Sequence, residues 1–313
     1  MVETCRRLSG FNYYWRFKIS DSHPRELLLS VLAQDGRASV EALARSTGLS
    51  TGQIRQLLRE LTSDGVEVRG IMHPSVFGQH ALAHVLISPT LSVRATIDVL
   101  VAMPEIPYVT QVAGEFSIAA EIRVADRAAL GRMIERITAL PEVRQLYFDE
   151  YFDIVKDAIV RVRRRGEIML DATDRVLLRE LQLDGRAPFA ALARRVNLST
   201  ASARARVLRL LDSGVINIGI RTRSQRGSLQ IGFRLFGTPS DTVADALLTR
   251  GSVEYLATSM GRSNFIGTIR VPTLAVAAAE LAAIQVIPGV SDLSSWVHLE
   301  IVKEHYEFKD LPA

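Results

Sequence analysis

Most of this chain is written twice. Asp35-Gly36-Arg37 returns 149 positions later as Asp184-Gly185-Arg186, and Leu43-Ala44-Arg45 and Leu49-Ser50-Thr51 return at the same offset as Leu192-Ala193-Arg194 and Leu198-Ser199-Thr200. Further along, at an offset of 147, Gly114 recurs as Gly261, Pro141-Glu142-Val143 as Pro288-Gly289-Val290, and Lys156 as Lys303. A duplication of this length means two copies of one architecture, and whatever is inferred for one copy must hold for the other.

In the second copy, Asp171 to Ile216 encodes three short amphipathic helices. Val176, Leu177 and Leu181 share one face; Phe189, Leu192, Ala193 and Val196 share a second; Ala203, Val207 and Leu210 share a third. Asp171 or Thr173 can cap the first helix, and Gly185 is expected to end it in the left-handed conformation. Asn197 closes the second helix and Ser199 caps the third. In the first copy Ser22, Gly48 and Ser50 take the places of Asp171, Asn197 and Ser199, and Ser50 with Gln53 forms a capping box ahead of Ile54, Leu58 and Leu61. A short helix, a tight turn and a helix opening on Ser is the helix-turn-helix plan, whose last helix enters the DNA major groove. That helix carries Thr200, Ser202, Arg204, Arg206 and Arg209 on its exposed face. The bland alternative, arginines that only keep a three-helix core soluble, is weakened by the second copy.

Each helical unit is followed by a strand, helix, strand, strand, helix, strand pattern. In the first copy these are 81–88, 92–102, 108–113, 116–124, 126–140 and 143–155; in the second, 229–236, 241–250, 253–260, 264–271, 274–286 and 291–302. This βαββαβ order is the ferredoxin-like plan. Its strands are apolar on both sides, as in Ile118, Ala119, Ala120 and Ile122, or Phe265, Ile266 and Ile269, so each sheet must cover its second face with another sheet. That partner is the other copy, another subunit, or both. The expected fold is α+β: two helix-turn-helix (winged-helix-like) domains at 22–70 and 170–220, alternating with two ferredoxin-like domains at 78–156 and 228–308. An aromatic arm spans 1–21 and a basic linker 157–169. Arg161, Arg163, Arg164 and Arg165, with Arg221, Arg223 and Arg226, are either solvated connectors or phosphate contacts.

Bulk properties narrow the function. A net charge of +4 and a pI near 9.4 permit an anionic partner without demanding one. Cys5 is the only cysteine, so an intrachain disulfide is excluded. The first twenty residues lack the apolar stretch of a signal peptide, and the apolar run 274–287 is interrupted by Glu280 and Gln285; a cytoplasmic protein with no membrane segment is expected. His80 and His84 border a predicted strand, where that spacing puts them roughly 13 Å apart, too far to share a metal ion. His298 and His305 read as surface residues. No catalytic residues, metal site or cofactor motif stands out.

Leu170-Asp171-x-x-Asp174, Asp184-Gly185-Arg186 and Leu198-Ser199, in a helix-turn-helix followed by βαββαβ, resemble the Lrp/AsnC family of transcription regulators. The resemblance covers nearly all of 22–306, as two tandem units. It implies a DNA-binding regulator of double-stranded DNA, a homo-oligomer assembled through its ferredoxin-like domains, and a small-molecule effector such as an amino acid or related metabolite. Ser199, Thr200, Ser202, Arg204, Arg206 and Arg209 match the family's recognition helix, with Arg206 on its characteristic arginine. Ser50, Thr51, Gln53, Arg55, Gln56 and Arg59 are the weaker first-copy counterparts, because Leu57 and Glu60 replace Arg206 and Arg209 and Gly52 costs the helix about 1 kcal/mol. For an effector the family uses Gly-x-x-Asp; here Gly114, Glu115 and Ser117, and Gly261, Arg262 and Asn264, occupy those loops without that carboxylate. The siroheme decarboxylases share the double architecture, but Met72-His73-Pro74-Ser75-Val76-Phe77-Gly78 suits the regulators' Pro-x-x-x-Gly pattern better. A module that assembles and binds effector without DNA is the remaining alternative.

Overall fold

The structure is a computed structural model that describes residues 24–157, 160–161, 169–222, 228–238, 241–304 and 306. The aromatic arm, Ser22, most of the basic linker, and Arg223 and Arg226 lie outside the described residues.

The first helical unit comprises α1 (Pro24–Gln34), α2 (Val40–Thr47) and α3 (Thr51–Ser63), followed by strand β1 (Val66–Ile71). Gly48 ends α2 at φ 73°, and Ser50 and Gln53 form the expected capping box on α3. The first ferredoxin-like unit runs β2 (Ala81–Pro89), α4 (Val93–Val101), β3 (Tyr108–Ala113), β4 (Ile118–Val124), α5 (Arg127–Thr138) and β5 (Val143–Asp157), with a two-residue β6 (Val160–Arg161). The second copy repeats this as α6 (Ala172–Leu183), α7 (Phe189–Arg195), α8 (Thr200–Asp212) and β7 (Asn217–Thr222), then β8 (Leu229–Gly237), α9 (Asp241–Leu248), β9 (Val253–Met260), β10 (Phe265–Val271), α10 (Leu274–Gln285) and β11 (Val290–Glu304). Asn197 is left-handed at φ 52°, as its place between α7 and α8 requires.

The strand after each helical unit does not fold back as a wing of its own unit. β1 and β7 pair with each other, antiparallel, with Val66 opposite Thr222 and Ile71 opposite Asn217. Each then completes the other unit's core. Ile220 packs among Leu28, Leu32 and Leu43, whereas Met72 and Phe77 pack among Leu177, Leu181 and Val207. Gly185 corrects the expectation of a left-handed helix end: the residue capping α6 is Asp184 at φ −142°, and Gly185 is not among the positive-φ residues. Glycine is required there by proximity. A Cβ on Gly185 would lie 2.9 Å from Ile218 Cγ2 and 3.0 Å from Val68 O, and one on Gly36 would lie 2.6 Å from Ile218 Cγ2.

The two ferredoxin-like sheets join at both edges. In the order β2-β4-β3-β11-β8-β10-β9-β5, with β5 pairing back to β2, eight strands close into a barrel. The seams between copies are β3 with β11 and β5 with β9. Alternation sets the layers. On β2, Ala81, Ala83, Val85 and Ile87 face α4 and α5 in the outer core, while Leu82 and Leu86 point inward with Val112, Phe116, Ile266 and Trp296. The second copy's outer core holds Phe233, Leu247 and Ile284. The paired lysines act across the seam: Lys303 Nζ donates to the carbonyls of Val101 and Met103 at the end of α4, and Lys156 Nζ donates to that of Arg250 after α9. Lys156, although next to the basic linker, is only 3% exposed.

Candidate functional site

Two regions gather polar groups on rigid elements, and the helical pair is the first. Arg37 donates to the carbonyls of Gly185 (2.6 Å) and Ala187 (2.9 Å), and Arg186 donates to those of Gly36 (2.6 Å) and Ala38 (2.8 Å). Burial holds both guanidinium groups below their usual basicity. With the β1–β7 ribbon, this clasp fixes α3 and α8 relative to one another.

On α8, Ser199, Thr200, Ser202, Arg204 and Arg209 are exposed, and Ser199 Oγ accepts the Ser202 amide at 3.1 Å. Arg206 is committed internally: its Nη1 donates to Asp171 Oδ2 at 2.6 Å and Asp174 Oδ1 at 3.0 Å. Arg209 pairs with the same Asp174, which is 1% exposed. The amide of Asp174 and the Arg206 guanidinium hold the Asp171 carboxyl below its usual range, and those two carboxylates raise Arg206. Arg206 and Arg209 therefore brace α8 against the start of α6, and Arg204, whose guanidinium lies 6.0 Å over the Phe189 ring, is the α8 arginine with no ion pair among the described residues. In the first unit the charges are exchanged. Arg25 stands at the position of Asp174 and pairs with Asp64, and Glu60 accepts from Gln56. Ser50, Gln53, Arg55, Gln56 and Arg59 are exposed and Thr51 is half-buried.

The two loops expected to hold an effector lie at the barrel end away from the helical units, and each leans on the other copy. A Cβ on Gly114 would approach Trp296, and one on Gly261 would approach Asp149. Glu115 accepts from Arg234 at 2.8 Å, Asn264 Oδ1 accepts the Gly237 amide at 2.9 Å, and the Ser117 amide reaches Ile87 O at 3.3 Å. Phe116 and Arg262 both contact the Tyr147 ring, at 5.1 Å and 4.4 Å, so the loops converge there. Their polar groups are largely spent inside the protein.

The second region went unnoticed in the sequence. Inside the barrel, toward the helical pair, is a chamber of about 510 Å³. His84, stacked on Trp296 at 5.2 Å, and His298 line it, correcting the assignment of His298 to the surface. Burial first, then nearby positive charge, lowers His84 to about 3 and His298 to about 4. A buried Glu121–Arg123 pair sits in the wall, and burial raises the Glu121 carboxyl. The signal was available: Glu121 and Arg123 stand two apart in an apolar strand, a polar inner face that the neighbouring Ile and Ala residues masked. Among the described residues, no group of three or more His, Cys, Asp or Glu is arranged to hold a metal, and no helix is long and apolar enough to cross a membrane.

Comparison with known proteins matches both helical units and the first ferredoxin-like unit. Residues 170–211 fit the AsnC-type helix-turn-helix domain, 81–158 the Lrp/AsnC ligand binding domain, and 25–66 a winged helix-turn-helix DNA-binding model. The transcriptional regulator LrpA of Mycobacterium tuberculosis is 35% identical over 124 residues, 38% of this chain and 81% of that protein. An uncharacterised helix-turn-helix regulator of Pyrococcus abyssi is 43% identical over 58 residues, 18% of this chain but only 37% of its own length. Among solved structures, the siroheme decarboxylase NirDL superposes with a TM-score of 0.64 over 92% of this chain and 95% of its own, at 13% identity. A likeness at that identity speaks to the fold alone.

Proposed function

Because the chain belongs to the Lrp/AsnC family of DNA-binding transcription regulators, we propose that it reads double-stranded DNA sequence-specifically, with α3 and α8 acting as one fixed pair. The observation that carries this reading is the reciprocal junction of the two helical units, which leaves both recognition helices exposed while locking their separation. Groove readers need that geometry, because half-site spacing is set by the distance between recognition helices. Ser199, Thr200, Ser202 and Arg204 are assigned to bases and phosphates in the second unit, with Arg206 and Arg209 holding the helix in position. Thr51, Gln53, Arg55, Gln56 and Arg59 serve the first. Since the two faces differ, the operator is expected to be less than a perfect palindrome. Assembly of whole chains through the outer faces of the ferredoxin-like units, response to a small molecule, and a cytoplasmic location belong to the same proposal.

The test is fluorescence anisotropy with DNA from upstream of the protein's own gene against scrambled DNA, across a salt series. Specific binding that weakens steeply with salt is expected. Equal affinity for both DNAs at every salt concentration would sink the regulator reading, and Soret absorbance after addition of iron uroporphyrin would then test the decarboxylase alternative.

A further inference from the structure

The duplication allows the two reading helices to be compared position by position, and the surroundings of their exposed arginines differ. Arg204 on α8 and Arg55 on α3 are counterparts at the offset of 149, and both are exposed. The helix that precedes each reader opens differently: α7 begins with Phe189-Ala190, and α2 begins with Val40-Glu41 at the same places.

Phe189 is half-buried against the core of the second helical unit. Two guanidinium groups lie over its ring, that of Arg37 at 4.6 Å and that of Arg204 at 6.0 Å. Arg37 is itself fixed by its two carbonyl acceptors in the clasp, so Arg204 rests on a platform held from both units. A cation–π contact restrains a guanidinium without neutralising it. With no ion pair among the described residues, Arg204 keeps its charge for a phosphate or for the O6 and N7 of a guanine.

The first unit has no such platform, because Val40 offers no aromatic face. Glu41 instead lies close enough to Arg55 for their charges to interact. Its own backbone amide and the Ser39 hydroxyl, followed by the Arg55 and Arg45 guanidinium groups, hold the Glu41 carboxyl below its usual range. An exposed carboxylate beside a DNA-facing arginine cancels part of its field and repels the approaching phosphate.

We propose that Phe189 is a positioning residue for DNA recognition by Arg204, and that Glu41 mutes Arg55, so that the second reader supplies most of the discrimination between sequences. The inference rests on the regulator reading and adds to it: the inequality of the readers is set from α2 and α7, outside the helices that enter the groove. Ordering a free arginine on binding weakens affinity by about two- to tenfold, and a side chain already laid on a ring avoids part of that loss.

Anisotropy titrations with DNA from upstream of the protein's own gene, against scrambled DNA, test this through two double-mutant cycles. Phe189→Leu should weaken specific binding by about two- to tenfold, Phe189→Tyr should restore it, and Phe189→Leu should do nothing further in an Arg204→Ala background. A purely structural role for the ring would leave its effect intact in that background. Glu41→Gln should strengthen binding by about two- to fivefold, and only while Arg55 is present. This second cycle alters only an exposed residue of the first unit, so it stays decisive if Phe189→Leu unfolds the second. Val40→Phe with Glu41→Ala writes the second copy's pair into the first. Base changes in the half of the site that the wild type tolerates should then become costly. Additive effects in the Phe189 and Arg204 cycle, or a Glu41→Gln gain that survives Arg55→Ala, overturn the inference while specific binding by the wild type leaves the regulator reading standing. A wild type with no sequence preference removes that reading and this inference with it.

Discussion

Arg37 and Arg186 each hold the segment that carries the other. The carbonyls that accept from Arg37 belong to Gly185 and Ala187, the neighbours of Arg186, and those that accept from Arg186 belong to Gly36 and Ala38, the neighbours of Arg37. Arg37 also lies 4.6 Å over the Phe189 ring. A guanidinium fork spans two carbonyls in a way that a lysine ammonium cannot.

Arg37→Ala or Arg186→Ala should cost about 1–3 kcal/mol, because each leaves two part-buried carbonyls without their donors. Arg37→Lys should recover only a fraction. The double alanine variant should cost less than the sum of the singles, since losing either arginine already loosens the segment that positions the other. Urea denaturation of the four proteins checks all three expectations.

Arg204 and Arg206 should separate by readout. Arg204→Ala is expected to lower the slope of log K against log salt by about 1 with little change in melting temperature. Arg206→Ala should instead destabilise the second unit by about 1–3 kcal/mol, because Asp174 loses one of its two cationic partners in a buried setting. A salt series and thermal unfolding of both variants would expose the reverse assignment at once.

The difference between those two arginines marks the limit of what the sequence discloses. Capping residues, the left-handed positions Gly48 and Asn197, and the βαββαβ order depend on neighbours close in the chain, so they were legible, and the observed elements differ from the expected ones by at most a few residues. The ion pairs of Arg206 were not legible, because its carboxylate partners lie 35 and 32 positions earlier in the chain. Gly185 looked like a helix terminator when what it supplies, as Gly36 does, is close approach to the β1–β7 ribbon. Closure of the barrel was the hardest to see. Residues apolar on both faces implied a covered sheet, but the same pattern serves two stacked sheets and one ring, and the polar residues inside occupy alternate positions of strands that are otherwise apolar.

Stability should fall in mild acid. His84 and His298 bind a proton in the folded barrel only near about 3 and about 4, against 6.5 for a free imidazole. The unfolded chain therefore takes up protons first as pH drops below 6.5, and the barrel loses stability from there down toward 4. His84→Phe, which keeps a ring stacked on Trp296, should flatten this part of the curve, as denaturation midpoints measured at stepped pH would reveal.

Gly232 should not tolerate a methyl group. A Cβ there would fall 2.1 Å from the Trp296 ring, whose own position is set by His84. Gly232→Ala is expected to cost about 1–3 kcal/mol through overpacking and to shift the Trp296 emission. Gly131→Ala, on a helix with nothing within 4 Å of the added carbon, is the matched control and should be neutral or slightly stabilising.

The ring of eight strands leaves both seams between the copies internal to one polypeptide. Dilution cannot part the halves, and neither half can trade its mate for one from a differently sequenced neighbour. Each reader therefore meets DNA in the company of the other at any cellular abundance, as a tethered second site does. Mutations in one half are also never imposed on its counterpart. Exchanged charges such as Arg25 for Asp174 can persist in a single reader, which is how a fused pair drifts from symmetry without losing its mate.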